Sequence, residues 1–174
     1  ERVTFELCED AQAEGVRYLE IRFAPQLHVR PGFEIADVVR AVDRGIRRAQ
    51  QIFNHRPEIA GGTEPPFAAG MILCALRFFT PEFSAGYRRF FEAMPMAPAA
   101  EVYAAASLEV ARAAARSKAL GLLVVGIDLA GQERGYPAED HRAAYQVAHE
   151  AFLGKTVHAG EDYGPESIFQ AIVP

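Results

Sequence analysis

The chain has 174 residues and a mass of 19.1 kDa, enough for one domain that buries roughly two-thirds of its unfolded surface. Apolar residues make up 50% and charged residues 24%, a globular composition that excludes a disordered chain. The net charge of −5, without a basic stripe, argues against a nucleic-acid surface, and no apolar run reaches the roughly 18 residues of a membrane span. We expect a cytoplasmic protein that binds neither nucleic acid nor a membrane, and its oligomeric state is left open.

Short apolar strands alternate with amphipathic helices along the chain. Helices are expected at 3–14, 35–53, 99–120, 139–153 and 165–172, and strands at 16–23, 71–76, 122–128 and 155–158. This alternation predicts an α/β fold with a parallel sheet covered on both faces, and four such units make half of an eight-stranded barrel. The stretches 54–70 and 78–98 are expected to be irregular, and the aromatic side chains of the second to pack as a cap. Cys8 and Cys74 are expected to be buried free thiols.

Polar residues follow two of the expected strands at the point where each ends. The string T-V-H-A-G-E ends a strand on His158 and continues to Glu161. Upstream, the string V-G-I-D-L-A-G-Q-E ends a strand on Asp128 and continues to Gly131. Because the carboxyl ends of parallel strands meet at one edge, the two strings predict one shared site.

His158 and Glu161 suit metal-assisted hydrolysis. A rigidly presented neutral imidazole is a good metal ligand, and a Glu three residues on can move a proton to or from a metal-bound water. A hydrolytic zinc site needs three or more protein ligands, however, and the other histidines lack ligand spacing. From spacing alone, His158 is either a metal ligand or a hydrogen-bonded structural residue.

Asp128 and Gly131 each allow two interpretations. An unpaired carboxylate is costly to bury, so Asp128 needs a metal, an Arg or backbone donors. Arg22 and Arg77, near the ends of separate strands, are candidate partners for it or for Glu20, and the alternative is a cap on the following turn. Gly131 either lets its backbone N–H approach a ligand closely or serves only the turn.

With these residues in place, the sequence resembles the adenosine deaminase family of zinc-dependent purine deaminases, within the amidohydrolase-type barrels. Residues 18–27, 125–133 and 156–161 resemble the family's second, fourth and fifth barrel strands, and residues 72–77 match the third more loosely. The resemblance implies a parallel (β/α)8 TIM-type barrel of which this chain supplies about strands 2–5 and their helices. Residues 1–174 would then form a single, partial barrel domain.

The resemblance also implies roles for individual residues. His158 is similar to the zinc-binding His of strand five, and Glu161 matches the Glu that donates a proton to purine N1. Gly131 matches the Gly whose backbone N–H meets the purine ring, and Leu27 falls near the pocket wall. The implied reaction is hydrolytic deamination of adenosine, or a related 6-aminopurine nucleoside, to inosine and ammonia, with Zn²⁺ as cofactor and the nucleoside as the small-molecule partner.

The departures from the family pattern define the alternatives. The family's H-x-H pair would precede Glu1, its second catalytic His and late Asp pair would follow Pro174, and Ala24 stands where a Ser is frequent. We therefore expect the middle portion of a longer deaminase, inactive by itself, and the long 54–70 and 78–98 segments leave the exact aminopurine open. One alternative is a non-catalytic, truncated relative that binds a purine or a protein partner. Another is a different barrel hydrolase that shares the strand-end His by chance.

Overall fold

Four parallel strands in chain order form the sheet that positions the polar residues. The structure, a computed structural model, describes residues 1–172. The helices are α1 (Arg2–Ala13), α2 (Ile35–Asn54), α3 (Pro57–Ala60), α4 (Ala85–Ala93), α5 (Ala99–Ala119), α6 (Arg142–Glu150) and α7 (Pro165–Ile172). The strands are β1 (Tyr18–Phe23), β2 (Ala68–Leu76), β3 (Val124–Ala130) and β4 (Gly154–Lys155), and 3-10 turns span Pro25–His28 and Ala138–His141. No helix within residues 1–172 is both long and apolar enough to cross a membrane.

The sheet order is β1-β2-β3-β4, and every neighbouring pair is parallel. Residues of β2 from Ala69 to Ala75 are buried. One face, which includes Met71 and Leu73, packs with residues of α2 and α5, whereas Cys74 on the other face packs with Ala24 and Ala130, so the expected cover of helices is found on one face. Beyond β4 the ladder continues, since the N–H of Thr156 donates to the carbonyl of Ile127 at 3.0 Å and that of His158 to Leu129 at 2.9 Å. The expected parallel α/β architecture is confirmed, and pairing with β3 extends to His158.

The stretch from 78 to 98 contains helix α4, so its prediction as wholly irregular is wrong. The hydroxyl of Ser84 caps this helix by accepting the N–H of Tyr87 at 3.2 Å. Gly86 weakens the helical signal of the sequence, yet it is required here because a Cβ would lie 2.7 Å from the carbonyl oxygen of Gln26. The aromatic side chains do form a buried cluster, in which the rings of Phe79 and Tyr87 stack at 4.1 Å.

The stretch from 54 to 70 is also more ordered than expected. It contains the short helix α3, and β2 begins at Ala68 rather than at Met71. The Asn54 amide joins the end of α2 to the start of β2: it donates to the carbonyl of Phe67 at 3.0 Å and accepts the Phe67 N–H at 2.8 Å. Side-chain hydrogen bonds therefore order this segment, although its content of Pro and Gly predicted a loop.

Candidate active site

The predicted site residues lie at the carboxyl edge of the sheet. Leu27 follows β1 in the first 3-10 turn and is 42% exposed. Gly131 follows β3 with a φ of +99°, a conformation that favours glycine. His158 and Glu161 follow β4. The topology places all four at one edge, and of the four only His158 takes part in the network of polar contacts described next.

Asp128 is the centre of that network, and only 1% of its surface is exposed. The hydroxyl of Thr156 donates to its Oδ1 at 2.8 Å, and Arg22 Nη1 donates to its Oδ2 at 3.0 Å. The Nδ1 of His158 lies 3.2 Å from the same Oδ2, and Cys74 Sγ is 3.5 Å away. The partners come from β1, β2 and the segment after β4. Of the interpretations left open for Asp128, the structure shows an Arg partner and side-chain donors, and Asp128 lies inside β3 rather than at its end.

The contacts of His158 determine which ring nitrogen carries the proton. Its Nδ1 lies 3.2 Å from Asp128 Oδ2 and 3.2 Å from the carbonyl oxygen of Leu129. Both atoms only accept hydrogen bonds, so in the neutral ring Nδ1 bears the hydrogen and Nε2 keeps its lone pair. The hydrogen bond goes to the Leu129 carbonyl, and the Asp128 carboxylate lies beside the same nitrogen; partners of both kinds orient the rings of many metal-binding histidines. The side chain is 32% exposed, so His158 has the chemistry of one metal ligand.

A complete zinc site requires more groups than this one. Among residues 1–172, no three or more His, Cys, Asp or Glu side chains gather in a cluster that could hold a metal ion. Zinc in a hydrolytic site takes three protein ligands and keeps one position open. His158 therefore fits as a single member of a larger ligand set.

Arg77 is buried and supports the backbone of His158 rather than the carboxylate of Asp128. Its Nη2 donates to the carbonyl of His158, and its Nη1 donates to the carbonyl of Tyr136 at 3.0 Å. Glu20, the other expected partner, accepts instead from the hydroxyl of Tyr18 at 2.5 Å. Burial lowers the pKa of Arg77, but a guanidinium stays charged at neutral pH. The Arg77 side chain thus reaches past β3 and fixes the backbone at His158, in the segment that follows β4.

Glu133 binds the loop that follows His158, a role that the sequence analysis did not assign. Only 7% of Glu133 is exposed. Its Oε1 accepts the N–H of Gly160 at 2.6 Å and the hydroxyl of Ser167, and its Oε2 accepts the N–H groups of Asp162 at 2.6 Å and Tyr163 at 3.1 Å. The Ser167 hydroxyl, followed by the backbone donors, lowers the pKa of Glu133 to about 2. It is therefore ionised at neutral pH.

Glu161 lies between the amides that Glu133 binds, and its side chain is exposed. The preceding Gly160 has a φ of +84°, and a Cβ at this position would lie 2.8 Å from Cδ1 of Ile168 in α7. The loop therefore turns sharply beside α7 and presents Glu161 to solvent.

His141 is a second buried polar residue that the sequence did not single out. It closes the second 3-10 turn, and no hydrogen-bond partner for its Nδ1 is found among the described residues. Burial, with a smaller contribution from the charge of Arg77, lowers the pKa of His141 to about 4. The ring is neutral at physiological pH.

Comparison with known sequences identifies the family. The sequence profile described as adenosine deaminase matches residues 1–174. Adenosine deaminase 1 of Streptomyces coelicolor is 33% identical over 174 residues, which cover 98% of this chain and 35% of that protein. The adenosine deaminase of Mycobacteroides abscessus is 34% identical over 171 residues, which cover 98% of this chain and 38% of that protein. The chain thus spans between 35% and 38% of the length of these two relatives.

Solved structures share the fold. A cog1816 amidohydrolase from Burkholderia ambifaria with bound Zn has a TM-score of 0.67 at 24% identity, covering 99% of this chain and 38% of its own. The Arabidopsis ADAL protein complexed with IMP has a TM-score of 0.65 at 25% identity, and the match covers 97% of this chain and 41% of the Arabidopsis chain. The expected fold class, part of a parallel α/β barrel, is confirmed. On the match of the whole sequence to the profile, the chain belongs to the adenosine deaminase family.

Proposed function

We propose that this chain supplies one zinc ligand, His158, and the proton-transferring carboxylate, Glu161, of a hydrolytic aminohydrolase that acts on 6-aminopurine nucleosides or nucleotides. The observation that carries the proposal is that Nδ1 of His158 is engaged, by a hydrogen bond to the Leu129 carbonyl with the Asp128 carboxylate 3.2 Å away, which leaves Nε2 for a metal on the segment that also carries the exposed Glu161. Adenosine, converted to inosine and ammonia, is the first substrate to test, because the curated relatives are named adenosine deaminases. The IMP bound to the Arabidopsis protein makes a nucleotide the second.

Each proposed residue has a distinct task. His158 would hold Zn²⁺ through Nε2, while the Leu129 carbonyl and the nearby Asp128 carboxylate keep the hydrogen on Nδ1. The ion, when bound, would supply the activation of water that hydrolysis at C6 requires. Glu161 would carry a proton to purine N1, as a free, exposed carboxylate can. The backbone N–H of Gly131 would meet the purine edge, and the exposed side chain of Leu27 would pack against the base.

The chain's own geometry supports the division between a held and a free carboxylate. All four donors around Glu133 point at its two oxygens, so it has no free lone pair for proton transfer. Glu161 is exposed at the same edge as His158. Of the two, Glu161 is the group that can exchange a proton with substrate.

The test compares Glu161→Gln with Glu166→Gln in the full-length protein. Glu166 is exposed in the first turn of α7, so its variant removes the same charge five positions along the chain. We expect turnover of adenosine, followed by ultraviolet absorbance, to fall by about 10²–10⁴-fold in Glu161→Gln and less than about twofold in Glu166→Gln, with bound zinc unchanged in both.

Three other outcomes have defined meanings. Full turnover by Glu161→Gln would refute the role of this residue. Turnover of another 6-aminopurine but not adenosine would keep the mechanism and change the substrate. A full-length protein without zinc and without turnover of any aminopurine would refute the enzyme and leave the purine- or partner-binding module.

A further inference from the structure

The six residues that separate the end of the sheet from α7, 159–164, are organised around one buried carboxylate. We infer that Glu133 is a positioning residue for Glu161: it fixes the backbone on both sides of the proposed proton carrier. The inference rests on the proposed function, because it assigns to Glu133 a task in the same reaction.

The hydrogen bonds bracket Glu161 in sequence. Oε1 of Glu133 binds the amide of Gly160, immediately before it, at 2.6 Å. Oε2 binds the amide of Asp162, immediately after it, at 2.6 Å, and that of Tyr163 at 3.1 Å. A large change in the backbone angles of Glu161 would break at least one of these charge-assisted hydrogen bonds. The Glu161 backbone is therefore fixed while its side chain remains exposed.

Other contacts make the anchor rigid at both ends. Ser167 donates its hydroxyl to Glu133, which links the loop to α7. Arg134, the next residue after Glu133, donates to the carbonyl of Asp162 at 2.7 Å. At the other end, Arg77 holds the carbonyl of His158. The segment between the proposed ligand and α7 is thus attached at its start, its middle and its end.

The burial of Glu133 is explained by this task. A buried carboxylate is costly unless donors surround it, and here three backbone N–H groups and one hydroxyl do so. The backbone amides come from one short loop, so the charge gathers that loop into a concave anion site. A misplacement of about 1 Å at a reacting group costs about 10²-fold in rate, which sets the scale of the expected effect.

The experiment compares Glu133→Gln with Glu139→Gln in the full-length protein. Glu139 is exposed and pairs with Arg142 at 3.3 Å, so its variant controls for the loss of one negative charge. Glutamine keeps one acceptor oxygen but turns an NH₂ group toward an amide donor. We expect kcat to fall about 10–100-fold in Glu133→Gln, with KM within about threefold and zinc content unchanged, and no such loss in Glu139→Gln.

A second readout measures the anchor itself. Hydrogen exchange at the amides of Gly160, Asp162 and Tyr163 should become at least about tenfold faster in Glu133→Gln, while strands β1 and β2 stay protected. Ser167→Ala, which removes one donor and no charge, should give a smaller change in both readouts. This milder variant keeps the inference testable if Glu133→Gln does not fold.

Several results would overturn the inference. Wild-type kcat in Glu133→Gln would do so, and so would a loss of activity equal to the loss of folded protein. Rapid exchange of the three loop amides in the unmodified protein would show that the anchor does not form. Absence of turnover by the unmodified protein would overturn the proposed function and this role with it; the exchange data would still report the anchor and so separate the two failures.

Discussion

Replacement of Asp128 by Asn should weaken the sheet and the orientation of His158 together. Asparagine keeps one acceptor oxygen, so its NH₂ group must face either the Thr156 hydroxyl or the pair formed by Arg22 and His158. Each lost hydrogen bond to a charged group costs about 1.5–3 kcal/mol. Arg22 is 44% exposed and returns to water, so we expect a total of about 2–4 kcal/mol, within or just below the range for breaking a fully buried pair. Urea unfolding measures this as a lower midpoint with an unchanged slope.

The control is Asp10→Asn, an exposed position on α1, where the free energy of unfolding should change by no more than about 0.5 kcal/mol. With the carboxylate gone, His158 also loses the negative charge 3.2 Å from its Nδ1, so zinc affinity of the full-length protein should fall about 10–100-fold. If Asp128→Asn unfolds at the same urea concentration as Asp10→Asn, the carboxylate does not hold these strand ends together, and the reasoning fails.

Two further predictions concern the loop and a buried ring. Gly160→Ala should lower the melting temperature more than Gly62→Ala, because both have a positive φ but only the first places a Cβ 2.8 Å from Ile168; equal losses would contradict the clash. In the unfolded state the His141 ring takes up a proton as the pH falls below about 6.5. In the folded state its pKa is about 4, so the ring stays neutral until the pH approaches that value. Stability should therefore fall by about 2 kcal/mol from pH 7 to pH 5, and His141→Gln should remove that part of the slope in urea titrations. An unchanged slope would show that the folded ring is not kept neutral.

The sheet and the gathering of polar residues at its carboxyl edge were predictable because their signals are local. Apolar runs such as that of β3 are typical of a buried parallel strand, and the polar residues after them mark where each strand ends. Because burying an unpaired charge is costly, Asp128 was expected to have a partner, and Arg22 was one of the two candidates, with Arg77. The strings around Gly131 and His158 carried the family resemblance.

The remaining features depend on residues distant in sequence. Helix α4 escaped prediction because Gly86 is fixed by its approach to the turn after β1, which no local pattern reports. Glu133 looked like one more loop carboxylate, since the donors that bury it follow 27 to 34 residues later. Arg77 was expected near Asp128 or Glu20, but the backbone carbonyl that it binds becomes available only once the segment after β4 pairs with β3.

The environments of the two cysteines disfavour reaction of their thiols in the folded chain. Both are free and buried, and burial raises the pKa of Cys8 to about 11 and that of Cys74 to about 12. The thiolate is the form that oxidants and alkylating reagents attack, and at neutral pH almost none is present at either position. Cys8 lies where α1 packs on the core, and Cys74 lies beside Asp128 in the centre of the sheet. Thiol modification of Cys74 therefore requires the sheet to open, so that the same interior which holds the proposed ligand also protects the sulfur next to it.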